Sequence, residues 1–269
     1  MKIAAALIWY DEPPELLAAC IRGAAEIADR IVAVDGAYRR YPGAQIASPP
    51  EQAETIRVTA TEVGLECDVY LRDQLWAGQV EKRSFLCERA SEGADWIAMI
   101  DADHVIHADR AGVRAELAAY GPDVVLLTVP FYTPLHPARS LADSAASHWH
   151  EGLAGKRIEH THLIRALPGL RVERFHYWYS ALQDGQRVWV PFGNAPSRKR
   201  GAERYPVMPT HQLQARYSVE HLTLLRDERH ILDGRAFCND RVMVVEATGQ
   251  EDDVPGLPPP VFDYETVPY

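Results

Sequence analysis

Short apolar runs alternate with longer stretches of helical spacing along the first half of the chain. Residues 3–9 are almost continuously apolar and of strand length. Residues 13–28 then place Leu16, Leu17, Cys20, Ile21, Ala24 and Ala25 at helical intervals, with prolines only where a first turn tolerates them. Residues 30–35 predict a second strand closed by Gly36, 50–63 a helix ending at Gly64, 67–71 a third strand and 79–91 a further helix. A fourth strand over 95–100, a helix over 109–120 and a fifth strand over 124–129 complete the series.

Apolar strands alternating with helices predict an α/β fold, a mostly parallel sheet covered on both faces. Ligands of such sheets sit beyond the carboxyl ends of the strands, and Asp11, Asp35, Asp101 and Asp103 all fall there. From about Tyr132 the regularity fades. Residues 133–215 mix aromatics, histidines and prolines, as loops over a site do, while 218–233 predict a helix and 241–246 a strand. Residues 250–269 form an acidic tail with Pro255, Pro258, Pro259, Pro260 and Pro268.

Composition narrows the class. The 269 residues are enough for one large domain or two small ones, and 47% hydrophobic with 25% charged is ordinary for a globular protein. Twenty-eight Lys+Arg against 38 Asp+Glu give a formal charge of -10, a poor overall match to nucleic acid. Cys20, Cys67, Cys87 and Cys238 lie far apart without a CxxC pair, which predicts reduced thiols and a cytoplasmic location rather than a disulfide framework or zinc knuckle. The apolar start resembles a signal peptide only until Asp11-Glu12-Pro13-Pro14, and no run approaches the roughly 18 apolar residues of a membrane span.

The strongest candidate chemistry is Asp101-Ala102-Asp103, directly after the fourth strand. Two carboxylates separated by one small residue can both approach a hard divalent cation, Mn²⁺ or Mg²⁺. Burying the pair without a cation or a base would cost several kcal/mol or force one carboxylate to take a proton. The surrounding "DWIAMIDADHVI", with "EKRSFLCERASEGA" before it, resembles the core of GT-A fold glycosyltransferases, family 2-like members of the nucleotide-diphospho-sugar transferase superfamily. The opening "AALIWYDEPPELLAACIRG" is similar to their first strand and helix, although Tyr10-Asp11-Glu12 stands where many members have Tyr-Asn-Glu. "DRIVAVDGAY" is the third matching piece.

The resemblance covers about the first 130 residues and implies a GT-A domain in which 1–130 bind the nucleotide sugar. Residues 131–249 would bind the acceptor and complete the metal site, and 250–269 form the tail. It implies transfer of a sugar from a nucleoside diphosphate sugar, UDP being the commonest carrier, with Mn²⁺ or Mg²⁺ between the carboxylates and the diphosphate. Asp35 would contact the nucleoside, with Ile8, Tyr10, Gly36, Trp76, Gln79 and Ala102 alongside. Lys82 or Arg83 would reach the donor. His221 is a candidate third metal ligand beside Asp101 and Asp103, and Arg226 and Arg229 follow it.

Acceptor recognition is expected at His176, Tyr177 and Trp178, whose ring faces suit stacking with sugars or bases. The basic run over 197–204 could grip a polyanionic acceptor, nucleic acid included. No Glu-Asp pair between Asp103 and Gln250 offers an inverting enzyme's base, which tilts the expectation toward retention; Glu151, Glu159, Glu173 and Asp184 remain possible bases.

Rival readings stand beside this one. His148, His150, His160, His162 and His176 include i, i+2 pairs compatible with a metal-dependent hydrolase, although no carboxylate joins them in HExxH-like order. A sugar-phosphate nucleotidyltransferase would need a glycine-rich loop where "WYDEPPEL" has none. A non-catalytic nucleotide-sugar or carbohydrate binder would have no use for the Asp101/Asp103 pair.

Overall fold

Alternate residues of β1 (Ile3–Ile8) feed two separate cores, Ile3, Ala5 and Leu7 on one side and Ala4, Ala6 and Ile8 on the other. A strand apolar on both faces belongs inside a sheet covered on both sides. The computed structural model describes residues 1–132, 157–173, 179–190 and 210–222, with Arg226 and Asp233. After β1 come α1 (Pro14–Ala24), β2 (Arg30–Val34), α2 (Pro50–Glu62), β3 (Glu66–Tyr70), α3 (Gln79–Ser91) and β4 (Trp96–Asp101). Next are β5 (His104–Ala108), α4 (Arg110–Ala119), β6 (Leu126–Tyr132), β7 (Arg157–Arg165) and β8 (Arg171–Val172). The described strands end with β9 (Tyr179–Gln183), β10 (Gln186–Val190), β11 (Thr210–Gln212) and β12 (Tyr217–His221).

The main sheet has the order β3-β2-β1-β4-β7-β6-β12-β5, with β11 paired to β6. Helices α1, α2 and α4 pack on one face through Leu17, Ile21, Ile56, Val113 and Leu117. On the other face lie α3, through Leu86, Cys87 and Ala90, and the small β10-β9-β8 sheet, through Val172, Tyr179 and Val188. The fold is α/β with a large mixed sheet. The expectation of a mostly parallel sheet holds for β3-β2-β1-β4. Beyond β4 the sheet is mixed: β7 runs antiparallel to both β4 and β6, and β12 antiparallel to β5, while β12 and β11 run parallel to β6.

One connection forces the sheet to curl. Only Ala102 and Asp103 separate β4 from β5, yet β7, β6 and β12 lie between them in the sheet. In a flat sheet four strand spacings would be about 19 Å, much farther than a two-residue link reaches. The far edge therefore bends back toward the end of β4, and α1 packs under β5.

Gly23 permits that packing. A Cβ on it would lie 2.6 Å from the Ile106 backbone nitrogen and 3.1 Å from its oxygen, so only glycine lets α1 touch β5. Gly23→Ala is expected to lower stability by about 2 kcal/mol, the cost of overpacking outweighing alanine's better helix propensity. Urea unfolding checks this; an unchanged midpoint would mean that α1 and β5 are not in such close contact.

The helix expected over 218–233 is corrected at its start. Tyr217 and Val219 point inward with a period of two, Tyr217–His221 pairs with β5, and Val219 and Glu220 pair with β6 on the other side. Pairing on both edges outweighs the local helical spacing there, and residues 223–225 and 227–232 lie outside the described ones. Outside the described residues lie His148, His150, His176, Tyr177, Trp178, Cys238, the basic run over 197–204, the strand expected over 241–246 and the 250–269 tail. No helix among the described residues is long and apolar enough to cross a membrane.

Candidate functional site

The strand order turns at β1, with β2 and β3 to one side and β4 to the other, and an open α/β sheet binds ligands at the carboxyl ends there. Asp101 ends β4, and Asp103 lies in the turn that begins β5. The β5–β12 register sets His221 directly opposite His104, and Leu222 N–H continues the pairing onto the Asp103 carbonyl at 2.7 Å. A slip of one residue would turn His221 to the other face. The one-atom-per-residue donors of Asp103, His104 and His221 all lie within 4.8 Å of one another.

Asp103 is 2% exposed. Its Oδ2 accepts from Arg226 Nη1 at 2.8 Å and faces His221 Nε2 at 3.0 Å, while His104 Nε2 lies 3.9 Å from Oδ1. Burial alone would push the carboxyl up, but Arg226, then His221 and His104, hold it well below the usual carboxylate range. Arg226 also grips Glu12, with Nε donating to Oε2 at 2.8 Å and Nη2 to Oε1. Arg83 Nη2 donates to Asp101 Oδ1 at 2.7 Å. Three carboxylates, on Glu12, Asp101 and Asp103, thus face two guanidiniums.

The donor set fits a divalent cation. Ligands about 2.1 Å from one ion lie at most about 4.2 Å apart, so the group needs only slight contraction. The histidines differ in readiness. His104 Nδ1 accepts the Asp101 backbone N–H at 3.2 Å, which leaves the proton of the neutral ring on Nε2. His104 is thereby an N–H donor facing the Asp101 and Asp103 carboxylates at 3.9 Å each, whereas His221 meets Asp103 directly at 3.0 Å.

Lys82 and Arg83 diverge. Lys82 is 1% exposed and runs inward along the Leu86 and Ala90 side of α3. Its Nζ donates to the Trp9 carbonyl at 2.8 Å and the Gly36 carbonyl at 2.7 Å, tying together the loops that follow β1 and β2. Burial brings its pKa down to about 7, against the opposing pull of Asp35. Lys82 therefore holds the floor of the crevice, and Arg83 faces Asp101.

The loop after β2 is similarly fixed. Asp35 is 1% exposed, and both its oxygens take Ser48, from Oγ at 2.6 Å and from N–H at 2.9 Å. Ser48 Oγ also accepts from Asp11 N–H at 2.8 Å, where Asp11 has a φ of 50. A nucleoside can reach the Asp35 carboxylate only if Ser48 moves. Trp76 Nε1 donates to the Asp35 carbonyl at 2.7 Å, and Gly36, with a φ of 102, has no room for a Cβ beside the Ile46 carbonyl at 2.9 Å. Tyr10 Oη accepts from Gln45 N–H at 2.7 Å, Ile8 and Ala102 are buried, and Gln79 opens α3.

The structure thus gathers Asp101, Asp103, His221, Arg83 and Arg226, and adds Glu12 and His104, which the sequence reading did not single out. His104 directly follows the aspartate pair, on a strand that starts so soon after β4 that the pattern does not separate the two. Glu12 reads as a loop residue ending the first apolar run. Of the histidine pairs, His160 and His162 lie on β7; His162 is 1% exposed, with Tyr217 Oη 2.7 Å from its Nδ1. Compared with known protein families and with characterised proteins, the chain matches none by sequence.

Proposed function

We propose that the chain is a metal-dependent glycosyltransferase of GT-A type, moving a sugar from a nucleoside diphosphate sugar to an acceptor. The observation that carries this reading is the meeting of Asp103, His104 and His221 beside the point where the strand order turns, with Asp101 Oδ2 3.9 Å from His104 Nε2. Asp101, Asp103 and His221 would hold Mn²⁺ or Mg²⁺, which supplies charge neutralisation to the departing diphosphate. The protein's own cations add to this. Arg83 holds Asp101 toward the crevice and, with Arg226, counters negative charge as the sugar becomes oxocarbenium-like. Lys82 and Ser48 keep the loops after β1 and β2 rigid, so the donor meets a pre-shaped, water-poor floor. UDP is the first nucleotide to test, and a polyanionic acceptor is the first acceptor class.

The test is thermal unfolding with UDP, GDP, CDP or dTDP, each with and without Mn²⁺, for the parent chain and Asp101→Asn. Ligand at 100 times its Kd stabilises by about 2.7 kcal/mol, a rise of a few degrees for a chain of this size. We expect that rise with one nucleotide, only with metal, and its loss in the variant. No shift with any pair would overturn the reading.

A further inference from the structure

The cation that the carboxylates hold is Arg226, and its placement bears on how a metal enters. The guanidinium spans Glu12, on the loop after β1, and Asp103, on the turn after β4. Its side chain is 16% exposed, against 6% for Glu12 and 2% for Asp103. It also shares a single oxygen with His221, since both meet Asp103 Oδ2, at 2.8 and 3.0 Å. An ion bound by Asp103 and His221 would stand against Nη1, and two cations on one carboxylate oxygen repel.

Arg226 lies beyond β12 in the sequence, while Glu12 and Asp103 lie in the loop after β1 and the turn after β4. Asp233, the other described residue past Leu222, lies within electrostatic reach of Tyr10 and Tyr41.

We infer that Arg226 is an internal competitor of the divalent cation, neutralising Glu12 and Asp103 until a metal takes Asp103 and His221 and pushes the guanidinium off. The inference rests on the metal reading of the site and deepens it: metal binding and release of the Arg226 guanidinium from Asp103 become one event. The displaced guanidinium keeps its charge. It turns from a carboxylate to the next anion within reach, which in the proposed reaction is the donor's diphosphate. Metal binding would prepare the diphosphate subsite before the donor arrives.

Two measurements test this, and neither needs turnover. The first is Mn²⁺ binding alone, by calorimetry, to the parent chain, Arg226→Gln and Asp103→Asn. Removing the competitor is expected to tighten Mn²⁺ binding at least tenfold, while Asp103→Asn abolishes it. Parent binding with equal or weaker binding by Arg226→Gln overturns the inference and leaves the metal reading standing. Absence of Mn²⁺ binding to the parent chain overturns the metal reading, and the inference with it.

Arg226→Gln takes the guanidinium away from two buried carboxylates and can fail to fold, so the second measurement uses the unmutated chain. Trypsin cuts after arginine, and a guanidinium held by Glu12 and Asp103 resists it. Mn²⁺ is expected to accelerate cleavage after Arg226 several-fold, read by mass spectrometry, with a small peptide substrate as control for the protease. Bound Mn²⁺ without acceleration overturns the inference.

Discussion

Asp103→Asn is expected to slow metal-dependent release of nucleoside diphosphate from its sugar by roughly 10²–10³-fold or more, the scale of losing a group aimed at developing charge. Asparagine keeps the shape of the buried side chain and removes its charge. It therefore tests the metal and its leaving-group chemistry rather than packing. Arg226 retains Glu12 as a partner in the variant, so the chain should remain folded, although less stable because a buried ion pair is lost. Circular dichroism and a melting curve precede the assay. A folded variant within tenfold of the parent would sink the metal assignment.

The second large effect is an unusual pH dependence of stability. Lys82, brought down to about 7 by burial, has an ordinary value of 10.5 in the unfolded chain. Between these values the unfolded chain holds the proton and the folded chain does not, so stability rises with pH across that window. Below about pH 7 both states are protonated and this group adds no slope. At 1.36 kcal/mol per unit, two pH units correspond to roughly 2–3 kcal/mol. Neutral Lys82 still has two N–H groups for the Trp9 and Gly36 carbonyls, so the clasp survives deprotonation.

Other groups close the window from above. Burial raises Tyr41, Tyr217, Cys20 and Cys87, so from about pH 9 the unfolded chain loses protons that the folded chain retains, and stability falls. The expected curve climbs from pH 7 to a maximum near pH 9. Lys82→Met should flatten the rising limb while leaving the falling one. Melting temperatures in matched ionic strength decide it; a parent curve flat from pH 7 to 9 would rule out a neutral Lys82.

The elements that local periodicity could mark were legible. The four helices among the described residues and the parallel strands β1 to β4 fall close to their expected ranges, because each carries its own apolar spacing. The rest of the sheet was not. β7 enters between β4 and β6 from residues far along the chain, and β12 looks helical until it is paired on both edges. Such pairings are non-local, and no window of sequence contains them.

The site divides the same way. Asp101 and Asp103 were visible as a spaced pair after a strand. His104 and Glu12 acquire meaning only once the sheet curls and Arg226 arrives. Lys82 was hidden among the charges of Glu81-Lys82-Arg83, yet Leu86 and Ala90 at four-residue steps place it on the buried stripe of α3, a signal available in the sequence.

The central place of β1 bears on how the chain is made. Its neighbour β2 follows soon after, but its other neighbour pairs from Ile3 with Trp96. On the ribosome, β1 must wait with one parallel edge bare, apolar on both faces and guarded by no charge within Ile3–Ile8. That edge is a template for any other nascent chain until residues 96–101 emerge. The strand that leads into the site's first loop is therefore also a point of exposure during synthesis. Slower translation between β2 and β4 would lengthen the time in which two copies can pair wrongly.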